Sequence, residues 1–390
     1  MTPMKLERFT IAVPDAALAD LKSRLAHTRW PDEISGIGWQ QGAALDYMQQ
    51  LVAYWRDTYD WRGEEAALNR FAQFRAEING QVVHFIHERA KNGRGFPLIF
   101  THGWPGSFIE AVKLIPLLTD PGSHGGRPED SFDVVVPSLP GYGFSPAPAA
   151  TGMNSYAIAE LWAELMTGLG YERFAAQGGD WGASICTWLA MQVPSRVAGI
   201  HLNYIPGSYD PPRAADGSDL VPEERAFLAS RDQWLDAEGA YGHIQGTKPQ
   251  TAAYALNDSP AGLCAWIAEK FRDWSDWQTS PNAQPEDAIS RDTLLTNISI
   301  YWFTQTIASS MRLYWEGRRR PVRFERGQRI DVPVGVARFA KEEPMPPRMW
   351  VERCYNVQRW TEFPRGGHFA ALEQPEVLAE DIREFFRALR

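Results

Sequence analysis

Cysteine is scarce: Cys186, Cys264 and Cys354 are the whole supply in 390 residues, odd in number, far apart and without a C-x-x-C pair. Such spacing argues against a disulfide framework or a cysteine-held zinc and fits reduced thiols. Long apolar runs are missing too. No stretch of about 18 apolar residues occurs, and the opening Met-Thr-Pro-Met-Lys-Leu-Glu-Arg carries no apolar signal core. The expectation is a soluble, cytoplasmic protein with no membrane anchor. Positive charge is in deficit, with 39 Lys and Arg against 48 Asp and Glu for a net charge of -9. Nucleic acid is thereby disfavoured as a partner, because no basic surplus exists to hold a phosphate backbone. Repeats and low-complexity stretches are absent. Aromatics, by contrast, are plentiful: 16 Trp, 13 Tyr and 19 Phe. That exceeds what a generic core needs and points to a deep apolar cavity with a few polar handles.

The length allows two to three domains of about 150 residues, and the hydrophobic pattern changes along it. Residues 1–90 read as helices followed by a hairpin that packs on the core. Leu18, Leu21 and Leu25 share a helical face behind Pro14, and Leu45, Met48, Val52 and Trp55 recur at spacings of three and four. Asn79-Gly80, between two apolar runs, is the strongest hairpin signal in the chain. Residues 91–204 repeat strand, turn and helix, with buried strands expected at Phe96 to Phe100, Phe132 to Val136, Phe174 to Gln177 and Gly199 to Asn203. This predicts a mostly parallel α/β sheet. Residues 205–320 carry Trp, Pro and helical patterns without a clear buried strand and read as an inserted helical cap. The sheet resumes within 321–390 at Val332 to Phe339 and Val357 to Thr361, before a last helix from Pro375 to Leu389.

Three segments could carry chemistry. Gly178-Gly179-Asp180-Trp181-Gly182 lies between an expected strand and helix. Small residues two before and two after a central reactive side chain are what a strained strand-to-helix elbow requires. A Gly-rich turn with Asp as a helix cap is the plainer reading of those five residues alone. His102-Gly103-Trp104-Pro105-Gly106-Ser107 follows an earlier strand, where the amides of Trp104 and Trp181 would form an oxyanion hole. Taken alone, it is an ordinary Trp-Pro-Gly turn. Gly366-Gly367-His368-Phe369 follows the last strand, so His368 can reach the elbow as general base. The loop before it offers Glu342 and Glu343 to orient that histidine, with Glu342 preferred. Nucleophile, acid and base then follow the chain order of the α/β-hydrolase triad. His84 and His87 sit in the hairpin at a spacing poor for metal ligation, and no metal site is expected.

An aspartate at the elbow changes the accessible chemistry. A carboxylate attacks saturated carbon by displacement and leaves an alkyl ester. Halide and the oxygen of a strained epoxide are the two plausible leaving groups, and epoxide opening needs acid donors opposite the carboxylate. Tyrosine phenols suit that task, although pattern alone does not select two of thirteen.

His102 to Ser107, Ser138 to Ser145, Gly178 to Gly182 and Gly367-His368-Phe369 together resemble the epoxide hydrolases of the α/β-hydrolase superfamily, in the branch with microsomal and fungal members. Ile11 to Asp15 and Thr28 to Pro31 are similar to that branch's N-terminal region, so the likeness covers nearly the whole chain. It implies the α/β-hydrolase fold with cap and N-terminal extension. Tyr241-Gly242-His243-Ile244-Gln245 and Met311-Arg312-Leu313-Tyr314 look like the segments that carry the ring-opening tyrosines, which puts them at Tyr241 and Tyr314. Phe339-Ala340-Lys341-Glu342 places the triad acid at Glu342. The resemblance implies a small apolar epoxide as substrate, no cofactor and a diol as product; the oligomeric state is left open by the sequence, a homodimer included. A haloalkane or haloacid dehalogenase would share the Asp and His, and a non-catalytic receptor would share the fold. A serine esterase is disfavoured, because Ser184 lies a turn beyond the elbow centre.

Overall fold

Nine strands form one sheet in the computed structural model, which describes residues 4–280 and 283–390. They are β1 (Leu6–Arg8), β2 (Gln73–Ile78), β3 (Gln81–Glu88), β4 (Phe96–Thr101), β5 (Phe132–Pro137), β6 (Phe174–Gly178), β7 (Val197–Leu202), β8 (Ile330–Phe339) and β9 (Tyr355–Phe363). Their order across the sheet is β1-β2-β3-β5-β4-β6-β7-β8-β9. All pairings from β5 to β9 are parallel, whereas β1, β2 and β3 add an antiparallel edge through the β3–β5 pair. This is an α/β-hydrolase fold with a mostly parallel sheet.

Local chemistry explains the elements. Asn79 (φ 50°) and Gly80 (φ 80°) both take the left-handed backbone that a tight hairpin turn with the strands' twist demands, and Ile78 pairs with Gln81 across it. The side chain of Asn154 caps helix Ser155–Gly168 by accepting the amides of Tyr156 and Ala157, and Ser259 caps helix Pro260–Asp273 through Gly262. β5, β6 and β7 are buried along their whole length, as central strands covered by helices on both faces must be. The edge strand β1 has no pattern of its own: three exposed residues pair with β2 through the backbone, and Arg8 lies over the Phe74 ring at 4.8 Å. Helix Trp61–Leu68, likewise unforeseen, is short and places only Trp61, Glu65 and Leu68 inside.

Between β7 and β8 the described residues contain helices and no strand. Among them are Pro222–Glu238, Ala240–Thr247, Pro260–Asp273, Arg291–Thr304 and Ile307–Gly317. Helices near the N-terminus lie against this layer: Trp55 donates its indole N–H to Ser299, Tyr59 bonds Thr296, and Trp61 packs edge-on to Phe303. No helix among the described residues is long and apolar enough to cross a membrane.

Candidate active site

The elbow follows β6. Asp180 opens helix Asp180–Gln192 with φ at 45°, a conformation that Asp and Asn tolerate better than most side chains. Its neighbours are glycines because the chain folds back on itself. A Cβ on Gly178 would lie 2.5 Å from the carbonyl carbon of Gly182, and one on Gly182 would lie 2.0 Å from the carbonyl oxygen of Thr101 at the end of β4. The tight crossing lifts Asp180 out of the turn.

The loop after β4 meets this carboxylate. Trp104 donates its amide to Asp180 Oδ1 at 2.8 Å, and the Trp181 amide also favours the ionised form. Burial nonetheless pushes the Asp180 carboxyl above its ordinary value, against the pull of His368 and the two amides. The loop itself is braced by the cap: Asn297 donates to the Pro105 carbonyl and Tyr301 to the Gly106 carbonyl, both at 2.7 Å. His102 is a structural residue. Its Nε2 accepts the Leu139 amide, its Nδ1 bonds the Gly103 carbonyl, and burial lowers its pKa to about 4.

His368 arrives from the loop after β9. Its Nδ1 bonds both oxygens of Glu342 at 3.1 and 3.0 Å, while Nε2 stands 3.9 Å from Asp180 Oδ2. Glu342 is 3% exposed, whereas its neighbour Glu343 is exposed to solvent. Burial opposes charge on the imidazole, but Glu342, Asp180 and Glu110 outweigh it and raise the His368 pKa to about 9. Burial raises the Glu342 carboxyl, which His368 in turn draws down.

Tyr241 and Tyr314 complete the cluster. Their rings meet edge to face at 5.8 Å, Tyr241 stacks on Trp104 at 5.2 Å, and Tyr314 stands edge-on to Trp181 at 5.0 Å. The Tyr314 hydroxyl is buried without a hydrogen-bond partner among the described residues. Burial, with the negative charge of Asp180 nearby, raises both phenols well above their ordinary pKa, so both keep their protons at neutral pH. The helix carrying Tyr314 is anchored to the Gly-rich loop 138–145: Ser309 donates to the Gly141 carbonyl, and Tyr142 to the Ser310 carbonyl. All seven residues singled out from the sequence, Asp180, His368, Glu342, Tyr241, Tyr314, Trp104 and Trp181, thus gather in one place.

Sequence reasoning missed four neighbours. Trp274 packs edge-on to His368 at 5.1 Å and against Tyr241 at 5.2 Å, and Tyr204 faces His368 at 5.9 Å. Lys270 lies over the Tyr241 ring at 4.9 Å. The Glu110 carboxyl covers Gly106, leaving no room there for a Cβ, and burial pushes its pKa up to about 8. Glu110 stands four residues beyond the Trp-Pro-Gly turn with nothing in its local sequence to mark it.

Comparison with known proteins identifies the family. Residues 6–111 match the family described as epoxide hydrolase N terminus, and residues 97–375 match the alpha/beta hydrolase fold. A protein of Stigmatella aurantiaca is 50% identical over 383 residues, covering 98% of this chain and 85% of that one. Epoxide hydrolase 1 of Sus scrofa is 39% identical over 406 residues, covering 98% of this chain and 88% of that one. The solved structure of Aspergillus niger epoxide hydrolase superposes with a TM-score of 0.84 at 29% identity, covering 100% of this chain and 97% of that one. The chain belongs to the epoxide hydrolases of the α/β-hydrolase fold and is an enzyme of that class.

Proposed function

We propose that the enzyme adds water to a small apolar epoxide in two steps through an ester on Asp180. The observation that carries this is the alignment of a buried carboxylate with an amide on one oxygen and an imidazole 3.9 Å from the other, beside two protonated phenols.

In the first step Tyr241 and Tyr314 hydrogen-bond the epoxide oxygen, and an Asp180 oxygen attacks a ring carbon from the opposite side. The C–O bond of the ring breaks, a phenol protonates the departing alkoxide, and a hydroxyalkyl ester forms. In the second step His368 takes a proton from water as the water oxygen attacks the ester carbonyl. The amides of Trp104 and Trp181 hold the resulting oxyanion, which collapses to release a 1,2-diol and the Asp180 carboxylate. Before that attack the imidazolium proton of His368 returns to the phenolate left by the first step, which frees the base, and the proton then taken from water regenerates the imidazolium beside the Asp180 carboxylate.

The charges favour this order. With Asp180 ionised, His368 near pKa 9 is an imidazolium at neutral pH and steadies the nucleophile without competing as a base. Esterification removes the Asp180 charge, which acts beside that of Glu342 to raise the imidazole. The His368 pKa therefore falls as the step that needs a free base begins.

The tyrosines provide the test of the first step. Tyr241→Phe and Tyr314→Phe should each slow ester formation by about 10²-fold, the usual cost of removing one donor to developing charge. The double variant should be slower still, with hydrolysis of any ester formed unaffected. Rapid-quench kinetics separate the steps, and wild-type ester formation in the double variant would overturn the assignment.

A further inference from the structure

The loop that delivers His368 contains two adjacent glycines, the backbone with the most freedom to lose on ordering. Yet it is held at four consecutive amides. Gly366 donates to Asp276 Oδ2 at 2.9 Å, Gly367 to Glu373 Oε2 at 3.0 Å, His368 to the Trp274 carbonyl at 2.8 Å, and Phe369 to Glu373 Oε1 at 3.0 Å. Glu373 Oε2 also accepts the Asp276 amide at 2.7 Å, and Asp276 Oδ2 accepts Arg365 Nε at 2.5 Å. Both acceptors are shared between the base loop and the segment 274–276, which follows cap helix Pro260–Asp273. The glycines are needed for this approach. A Cβ on Gly367 would lie 2.4 Å from the Trp274 carbonyl oxygen, and one on Gly366, at φ 101°, would lie 2.6 Å from the Phe339 ring. Phe369 stacks on Phe271 of that helix at 4.0 Å, closing the contact.

We infer that Glu373 and Asp276 are positioning residues for the general base, fixing the 366–369 backbone to the cap so that His368 Nε2 addresses the Asp180 ester. The inference rests on the covalent reading above. Glu342 alone fixes only the far side of the imidazole, Nδ1, and leaves the backbone that carries it free to shift. Proton abstraction from water tolerates little displacement, a misplacement of about 1 Å costing on the order of 10²-fold. Ester formation, in which Asp180 and the tyrosines act, needs the charge of the imidazolium near Asp180 but not the exact aim of Nε2.

The test is single-turnover and steady-state kinetics of the full chain on a styrene-type epoxide, comparing wild type with Glu373→Gln and Asp276→Ala. A glutamine nitrogen cannot accept, so Glu373→Gln leaves at least one loop amide unpaired. Ester hydrolysis should fall about tenfold to 10²-fold, while ester formation stays within about twofold. Accordingly kcat and KM should fall together and kcat/KM should hold. A merely structural role would instead lower the active fraction or both steps alike. Should Glu373→Gln not fold, Asp276→Ala carries the same split. Wild-type hydrolysis rates in a folded variant, or a parallel loss in ester formation, overturn the positioning role. Absence of any ester in the wild-type enzyme would overturn the covalent reading itself.

Discussion

Asp180→Asn should abolish turnover while leaving the fold intact. An amide is neutral and its nitrogen lone pair is delocalised, so it cannot displace the oxygen of an epoxide; loss of a nucleophile costs on the order of 10⁴- to 10⁶-fold in kcat. Asparagine is nevertheless a mild structural change here. Its oxygen still accepts the Trp104 amide, and it is among the side chains best suited to the positive φ that Asp180 adopts. Circular dichroism and thermal unfolding close to wild type, with diol release lost, are the expected pair of results. The substitution also removes one of the charges that hold His368 near pKa 9, so the imidazole should titrate lower in this variant. Diol release at wild-type rate would remove Asp180 from the chemistry.

His368→Gln should trap the reaction halfway. Glutamine has no basic nitrogen, so water attacking the ester loses its proton acceptor, a role usually worth about 10² to 10⁴-fold. Ester formation does not require the base. It should slow only in part, because loss of the imidazolium lets burial push the Asp180 carboxyl further up, and raising the pH should restore the ionised nucleophile. Mass spectrometry of digested protein should then show one added substrate mass on the peptide that contains Asp180. An unmodified peptide after exposure to epoxide would count against an ester. In the wild type, hydrolysis should rise with pH to a plateau whose apparent pKa lies below about 9, since the neutral imidazole is the base.

How much of this was legible beforehand depends on whether the constraint is local. Glycine spacing around Asp180 is a local record of a tight chain crossing, and Asn79-Gly80 a local record of a turn, so both could be read directly. Burial separates Glu342 from Glu343, and burial is set by how the loop after β8 meets the His368 loop, so adjacent identical residues look alike in sequence. The two tyrosines came only from family resemblance, for an aromatic in a Trp-rich cap has the same pattern whether it packs or donates. Glu110, Trp274 and Glu373 were invisible for a related reason. Each acquires its place from segments far away in the chain: Trp274 touches His368 across 93 intervening positions of sequence, and Glu373 gathers amides from both sides of that gap. The aromatic surplus now has a partial account, with Trp104, Trp181, Trp274, Tyr204, Tyr241 and Tyr314 all around the Asp180–His368 pair.

The most direct test of the central claim uses the unmodified enzyme, in excess over a single equivalent of epoxide, in water labelled with heavy oxygen. If an Asp180 oxygen bonds the substrate and water cleaves the ester at its carbonyl carbon, the first diol released carries no label, and the label appears in the Asp180 carboxylate. Label in the diol of that first turnover, with Asp180 unlabelled, would show water attacking the epoxide directly and would contradict the covalent mechanism.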